Sequence, residues 1–136
     1  MIDEFVKAWD ERKDTLREYI RTHEQSEYDE YEKLVRVLFD VVINPGTENK
    51  WDTGRIHVID DGDYQGTQLF IIPLEVYQPC HWDYVVTCHD YGSCSGCDTL
   101  MAISNYEARR PDDSQVDEYM TLLLHLLQSC KTIYEP

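Results

Sequence analysis

Apolar positions recur at helical spacing along the first stretch of the chain, "IDEFVKAWDERKDTLREYI". Ile2, Phe5, Val6, Trp9, Leu16, Tyr19 and Ile20 fall on one face and charges on the other, which predicts an amphipathic helix. A second helix is expected from Ser26, whose hydroxyl can cap an acid-rich first turn. Its inner face would be Tyr31, Leu34, Val35, Leu38, Val41 and Val42, and "NPG" at 44–46 would end it. The two are expected to form a helical hairpin. Oppositely charged neighbours such as Glu32 with Arg36, Asp10 with Lys13 and Asp14 with Arg17 read as solvated pairs.

The period then changes from helical to alternating. "RIHVIDD", "TQLFIIPL" and "DYVVTCHDY" are rich in β-branched and aromatic residues and predict three strands. Asp61-Gly62 reads as a two-residue hairpin turn, on the ground that glycine tolerates positive φ. "CDTLMAISNYE" predicts a short helix started by Asp98 or Thr99, and "RRPDDSQ" a loop. "QVDEYMTLLLHLLQSCKTI" predicts a last helix that is apolar nearly all round and therefore buried. No repeat, low-complexity tract or linker interrupts the pattern. The expected fold is α+β in a single domain, residues 1–136. An N-terminal helical hairpin and two C-terminal helices would pack on a three- or four-stranded antiparallel sheet.

Composition narrows the setting. The start, "MIDEFVKAWDERKD", is charged and unlike a signal peptide, and no apolar run approaches the ~20 residues of a membrane span. The expected location is cytoplasmic. Five cysteines is an odd number, so free or metal-bound thiols are expected rather than a disulfide framework.

Charge narrows the partners. The chain has 27 acids, 12 Lys and Arg, and a net charge of −15. The second part is the more acidic, and no Lys or Arg occurs from Ile56 through Ala108. Phosphate backbones are gripped by Lys and Arg, so direct nucleic-acid binding by this region is disfavoured. Such a surface attracts basic proteins, although plain solubility would also account for it.

The chemistry concentrates in "HDYGSCSGCDTL". Cys94 and Cys97 form C-x-x-C, a spacing at which two thiolates can hold one zinc ion. A redox pair would need a βαβ setting, whereas the preceding strands read as an antiparallel meander. A turn with two idle thiols is the plain alternative. Further zinc ligands are available in Cys80, His81, Cys88 and His89, and more remotely in His57, His125 and Cys130. Neighbours on a strand point to opposite faces, so only one of Cys88 and His89 can reach a given metal. The ligand set read from these residues is Cys94, Cys97 and His125, with Cys88 or His89 fourth. Cys130, five residues beyond His125, reads as a core thiol.

Catalytic patterns are weak. Asp60, Asp61, Asp63 and Glu75 could suggest a magnesium site, but no Lys accompanies them, and turn aspartates are the simpler reading. The deaminase pattern His-x-Glu with Pro-Cys-x-x-Cys and the protease pattern His-Glu-x-x-His are both absent. A Cys–His nucleophile pair is chemically possible but has no supporting motif. An enzyme is not expected.

"GDYQGTQLFIIP", "YGSCSGCDTLMAI" and "YMTLLLHLLQ" together resemble a family of small proteins encoded by phages and prophages of Gram-positive bacteria. The resemblance covers roughly residues 60–130. The chain is also similar to zinc-containing type II anti-CRISPR proteins. That resemblance implies a structural zinc involving Cys94, Cys97 and His125, and binding to a host RNA-guided effector nuclease that keeps it from its target DNA. It would place the protein in the host bacterium's cytoplasm. Exposed acids are the natural contacts for a basic channel: Glu27, Asp29 and Glu30 on the helical side, and Asp60, Asp61 and Asp63 at the turn. Two other functions compete. One is a zinc-bound phage accessory protein acting through protein contacts in DNA metabolism or assembly, and the other a thiol-dependent redox or hydrolytic enzyme.

Overall fold

The computed structural model describes residues 2–26, 30–93 and 98–132. Helix α1 spans Ile2–Thr22 and buries Phe5, Ala8, Trp9, Leu16 and Ile20. Helix α2, Tyr31–Leu38, runs into a π-helical turn at Phe39–Ile43 and ends in the single turn α3, Asn44–Gly46. The two segments lie antiparallel as expected. Gly46 packs against Ala8, and the Arg12 guanidinium Nε donates to the Val41 carbonyl at 2.8 Å. That bond satisfies a carbonyl in the π turn, where the regular helical ladder is shifted by a residue.

The second helix starts at Tyr31, not Ser26. Glu30 is its extended N-cap, and the Glu30 side chain makes no capping bond. Tertiary bonds hold the preceding segment. Gln25 is buried, its backbone N–H donates to the Arg109 carbonyl at 3.0 Å, and its side-chain oxygen accepts from the Tyr119 hydroxyl at 2.8 Å. Local capping preference is overridden by a partner 94 residues away. The charge pairs divide as well. Glu32 pairs with Arg36 at 2.8 Å, whereas Arg17 turns from Asp14 to Asp117 at 2.6 Å and ties α1 to the last helix.

Beyond α3, Asn44 clamps the backbone of Trp51. Its amide donates to the Trp51 carbonyl at 2.9 Å, and its oxygen accepts the Trp51 N–H at 2.7 Å. The Trp51 ring is thereby held edge-on to both Phe5 and Phe39.

Strands β1 (His57–Asp60), β2 (Gly66–Pro73), β3 (Tyr84–Tyr91) and β4 (Lys131–Thr132) form an antiparallel sheet in the order β1-β2-β3-β4. Phe70, Ile72, Val85 and Thr87 face the helices and are fully buried. The β1–β2 connection differs from a two-residue turn, because Asp60 already pairs with Gln68. Among the described residues, no glycine has positive φ. Gly62 is required for space instead, since a Cβ there would lie 2.0 Å from the Gln65 carbonyl oxygen.

Helix α4 covers Thr99–Ser104, with Asp98 as its N-cap and Asn105 in the left-handed conformation at its end. Helix α5 covers Asp113–Gln128. Its reciprocal cap joins Asp112 and Gln115, so the helix begins inside the expected loop. It also stops earlier than the sequence pattern suggests, and Lys131–Thr132 pairs with β3. One cluster of buried side chains joins α1, α2, the π turn, the inner sheet face, α4 and α5. Among the described residues, no helix is long and apolar enough to cross a membrane.

Candidate metal centre

The alternation of β3 decides which ligand candidates share a space. Val85, Thr87 and His89 point toward the helices, while Val86 and Cys88 point to the other face. His89 ends this inner row beside α4 and α5. There it lines a pocket of about 400 Å³ together with Thr99, Ile103, Glu118, Thr121 and His125.

His125 is exposed, not buried among leucines. Leu122, Leu123, Leu126 and Leu127 take the inner side of α5. Asp117, Glu118, Thr121, His125 and Gln128 form the outer stripe, and all are exposed. The pocket is therefore lined by two imidazoles, one from β3 and one from α5, and Thr99, two residues beyond Cys97, forms part of it.

His89 is fixed by its neighbour's backbone. Its Nδ1 lies 2.6 Å from the Asp90 carbonyl. A carbonyl only accepts, so Nδ1 carries the proton and, in the neutral ring, Nε2 keeps its lone pair. Metal-binding histidines are commonly held by this kind of bond. The ring also stacks on Tyr31, with centroids 4.7 Å apart and planes 20° from parallel.

Tyr31 carries the arrangement on to α4. Its hydroxyl donates to Asp98 Oδ1 at 2.9 Å and accepts the Leu100 N–H at 3.1 Å. Burial, with a smaller effect from Asp98, raises the phenol pKa well above its ordinary value of 10.0. Tyr31 is thus a neutral donor at physiological pH. Asp98 is itself buried, and its carboxylate also accepts the Met101 N–H at 3.0 Å and the Gly92 N–H at 2.8 Å. The Gly92 bond joins the exit of β3 to the entrance of α4. Cys94 and Cys97 fall between these pinned ends and lie outside the described residues.

The other candidates are placed apart. Cys88 is exposed on the outer sheet face. His57 is on that same face of β1. Cys80 and His81 sit beyond the opposite end of β3 from His89, where His81 packs edge-on to Trp82. Cys130 is a core thiol, as its spacing implied, and burial pushes its pKa up to about 12. Among the described residues, no three His, Cys, Asp or Glu side chains converge as a metal site. They bring two imidazoles to one pocket, and a zinc site would need the thiols of Cys94 and Cys97 as well.

The acids expected to meet a partner are partly engaged internally. Asp60 accepts the Tyr91 hydroxyl at 2.5 Å, the Gly62 N–H at 3.0 Å and the Gln68 amide at 3.2 Å. These donors, Tyr91 first, lower its pKa below 3.8, so it stays ionised. Asp61 accepts the Thr67 N–H at 2.6 Å. Asp63 and Glu30 are exposed, and Glu27 and Asp29 lie outside the described residues.

Tyr31 is the residue that sequence reasoning missed. It reads as one more apolar position on a helix face, and its partner Asp98 is 67 residues away. The Asp98 cap was visible locally. The protein matches no family model, and neither curated proteins nor solved structures include a match.

Proposed function

We propose that the protein is an acidic, zinc-stapled binding protein that inhibits a host RNA-guided type II effector nuclease, the function implied by the resemblance of its motifs to anti-CRISPR proteins. Its work is done by protein contacts, with no catalytic residue. Zinc would be held by Cys94, Cys97, His89 and His125, an S₂N₂ complement common in structural zinc sites. His89 is preferred to Cys88 as the fourth ligand because it lines the His125 pocket, whereas Cys88 faces away. The metal's role is structural: it would fasten the β3–α4 connection to α5.

The observation that carries the binding role is charge. The span from Ile56 to Ala108 includes three strands of the sheet and has no Lys or Arg. Nucleic-acid channels are basic, so a surface of this kind can occupy one, or dock beside it and repel phosphates. The test is a target-DNA cleavage assay with several orthologous type II effectors. Inhibition that strengthens with protein concentration is expected for at least one. Undiminished cleavage by all of them at excess protein would remove the nuclease from the proposal.

Metal analysis tests the staple separately. About one zinc per chain is expected, lost in Cys94→Ser and His89→Ala but kept in Cys88→Ser. A zinc-free protein with a reducible Cys94–Cys97 disulfide would point to thiol chemistry instead.

A further inference from the structure

The two faces of the sheet have opposite fates. The inner face is covered by helices over Phe70, Ile72, Val85 and Thr87, but none of the outward-facing aliphatic residues Leu69, Ile71 and Val86 belongs to the buried cluster or packs against it. Strand register sets them in contiguous rows. Ile59 lies beside Leu69 and Leu69 beside Cys88, while Ile71 lies beside Val86. Ile59 is 46% exposed, and Leu69, Ile71 and Val86 are partly exposed. Contiguous exposed aliphatic side chains on adjacent strands are a recognised mark of an interaction surface.

The charge around these rows is one-sided. Thr67 and Asp90 form the next row, joined by a 2.6 Å bond from the threonine hydroxyl to the carboxylate. Beyond them lies the hairpin connection with Asp61 and Asp63. Among the described strand residues of the sheet, Lys131, paired with Val86, is the only Lys or Arg. A nucleic acid or an anionic lipid surface would be repelled. A second copy of the chain would bring the same acids face to face, each copy carrying −15.

We propose that the outer face of the sheet docks a protein segment whose aliphatic side chains are flanked by Lys or Arg. The aliphatic part covers Ile59, Leu69, Ile71 and Val86, and the flanking cations meet Asp61, Asp63 and Asp90. The proposal rests on the reading of this chain as a binding protein, and it names the surface that does the binding. It does not depend on the metal.

The direct test is an amide chemical-shift titration of the full chain with the peptide KKIVIVKK, using DDIVIVDD as the control. Shifts centred on Ile59, Leu69, Ile71 and Val86 are expected with the lysine peptide alone, and they should weaken as salt is raised. Ile59→Glu, at an exposed edge position, should weaken that binding about tenfold while leaving the rest of the spectrum unchanged. Leu69→Thr provides a second reduction in apolar surface that β-strands tolerate. Equal binding of both peptides, no binding of the lysine peptide, or shifts centred elsewhere would overturn the proposal. So would a sedimentation-detected dimer that Ile59→Glu dissociates.

The nuclease assay separates the two readings. If wild type inhibits cleavage and both variants inhibit equally well, this surface is wrong and the inhibitory function stands. If the lysine peptide binds here but no nuclease is inhibited, the surface stands and the nuclease is wrong.

Discussion

Asp98 is one carboxylate serving three parts of the chain. It accepts from Gly92 at the end of β3, from Met101 in α4 and from Tyr31 in α2. Asp98→Ala should therefore cost about 3 kcal/mol in urea unfolding, combining a lost helix cap with buried donors left unpaired. Tyr31→Phe, which removes the donor to Asp98 and the acceptor of the buried Leu100 N–H but keeps the ring that stacks on His89, should cost about 2 kcal/mol. A second carboxylate makes a pH-dependent prediction. The native pKa of Asp60 is lowered by the Tyr91 hydroxyl, so its contribution to stability is present above 3.8 and fades as pH falls through the native value. Carbon-detected titration of Tyr91→Phe should show the Asp60 pKa moving up toward 3.8. Tyr91 itself is raised to about 12, chiefly by Asp60, so its contribution is full below pH 10.0 and is lost progressively as pH rises from there through about 12. The bond between Asp60 and Tyr91 spans 31 residues, and no local pattern announces it.

Helices α1 and α3 pack closely where Gly46 faces Ala8. A Cβ on Gly46 would lie 2.6 Å from the Ala8 Cβ, and Ala8 is fully buried. Gly46→Ala, a change that stiffens many helices, should here destabilise by about 1–3 kcal/mol, read from the shift in urea midpoint. Ala8→Gly in the same chain should recover part of the loss. Element boundaries show where sequence patterns carry far and where they fail. The α1 periodicity and the three long strand runs match the elements closely, because each buries one side and the period records it. Helix α2 starts later than its local cap signal implies because Gln25 is held by Arg109 and Tyr119, neither of which a local pattern includes. In α5, five leucines obscured a polar stripe that was legible at Asp117, Glu118, Thr121, His125 and Gln128. That stripe moves His125 from the core to the pocket wall. The sequence offers the candidate ligands only as a set, and β3 alternation separates His89 from Cys88 only once the sheet's covered face is known.

The molecule as a whole carries −15, and most of its surface ion pairs are exposed. Repulsion among so many carboxylates weakens the compact state, and salt screens it. The melting temperature should therefore rise as sodium chloride is raised from 0.02 to 0.5 M, roughly one Debye regime to the next. A flat or falling profile in calorimetry would mean that the acids are arranged without net strain.

The two ends of the fold are also bound to each other. Arg17 pairs with Asp117, 100 positions later, and Gln25 is sealed by Tyr119. On a ribosome, α1 and α2 emerge long before α5, so Leu16, Ile20 and Leu34 have no cover from α5 while the sheet is being made. The first quarter of the chain must wait for the last, and during that wait it is a natural client for a chaperone.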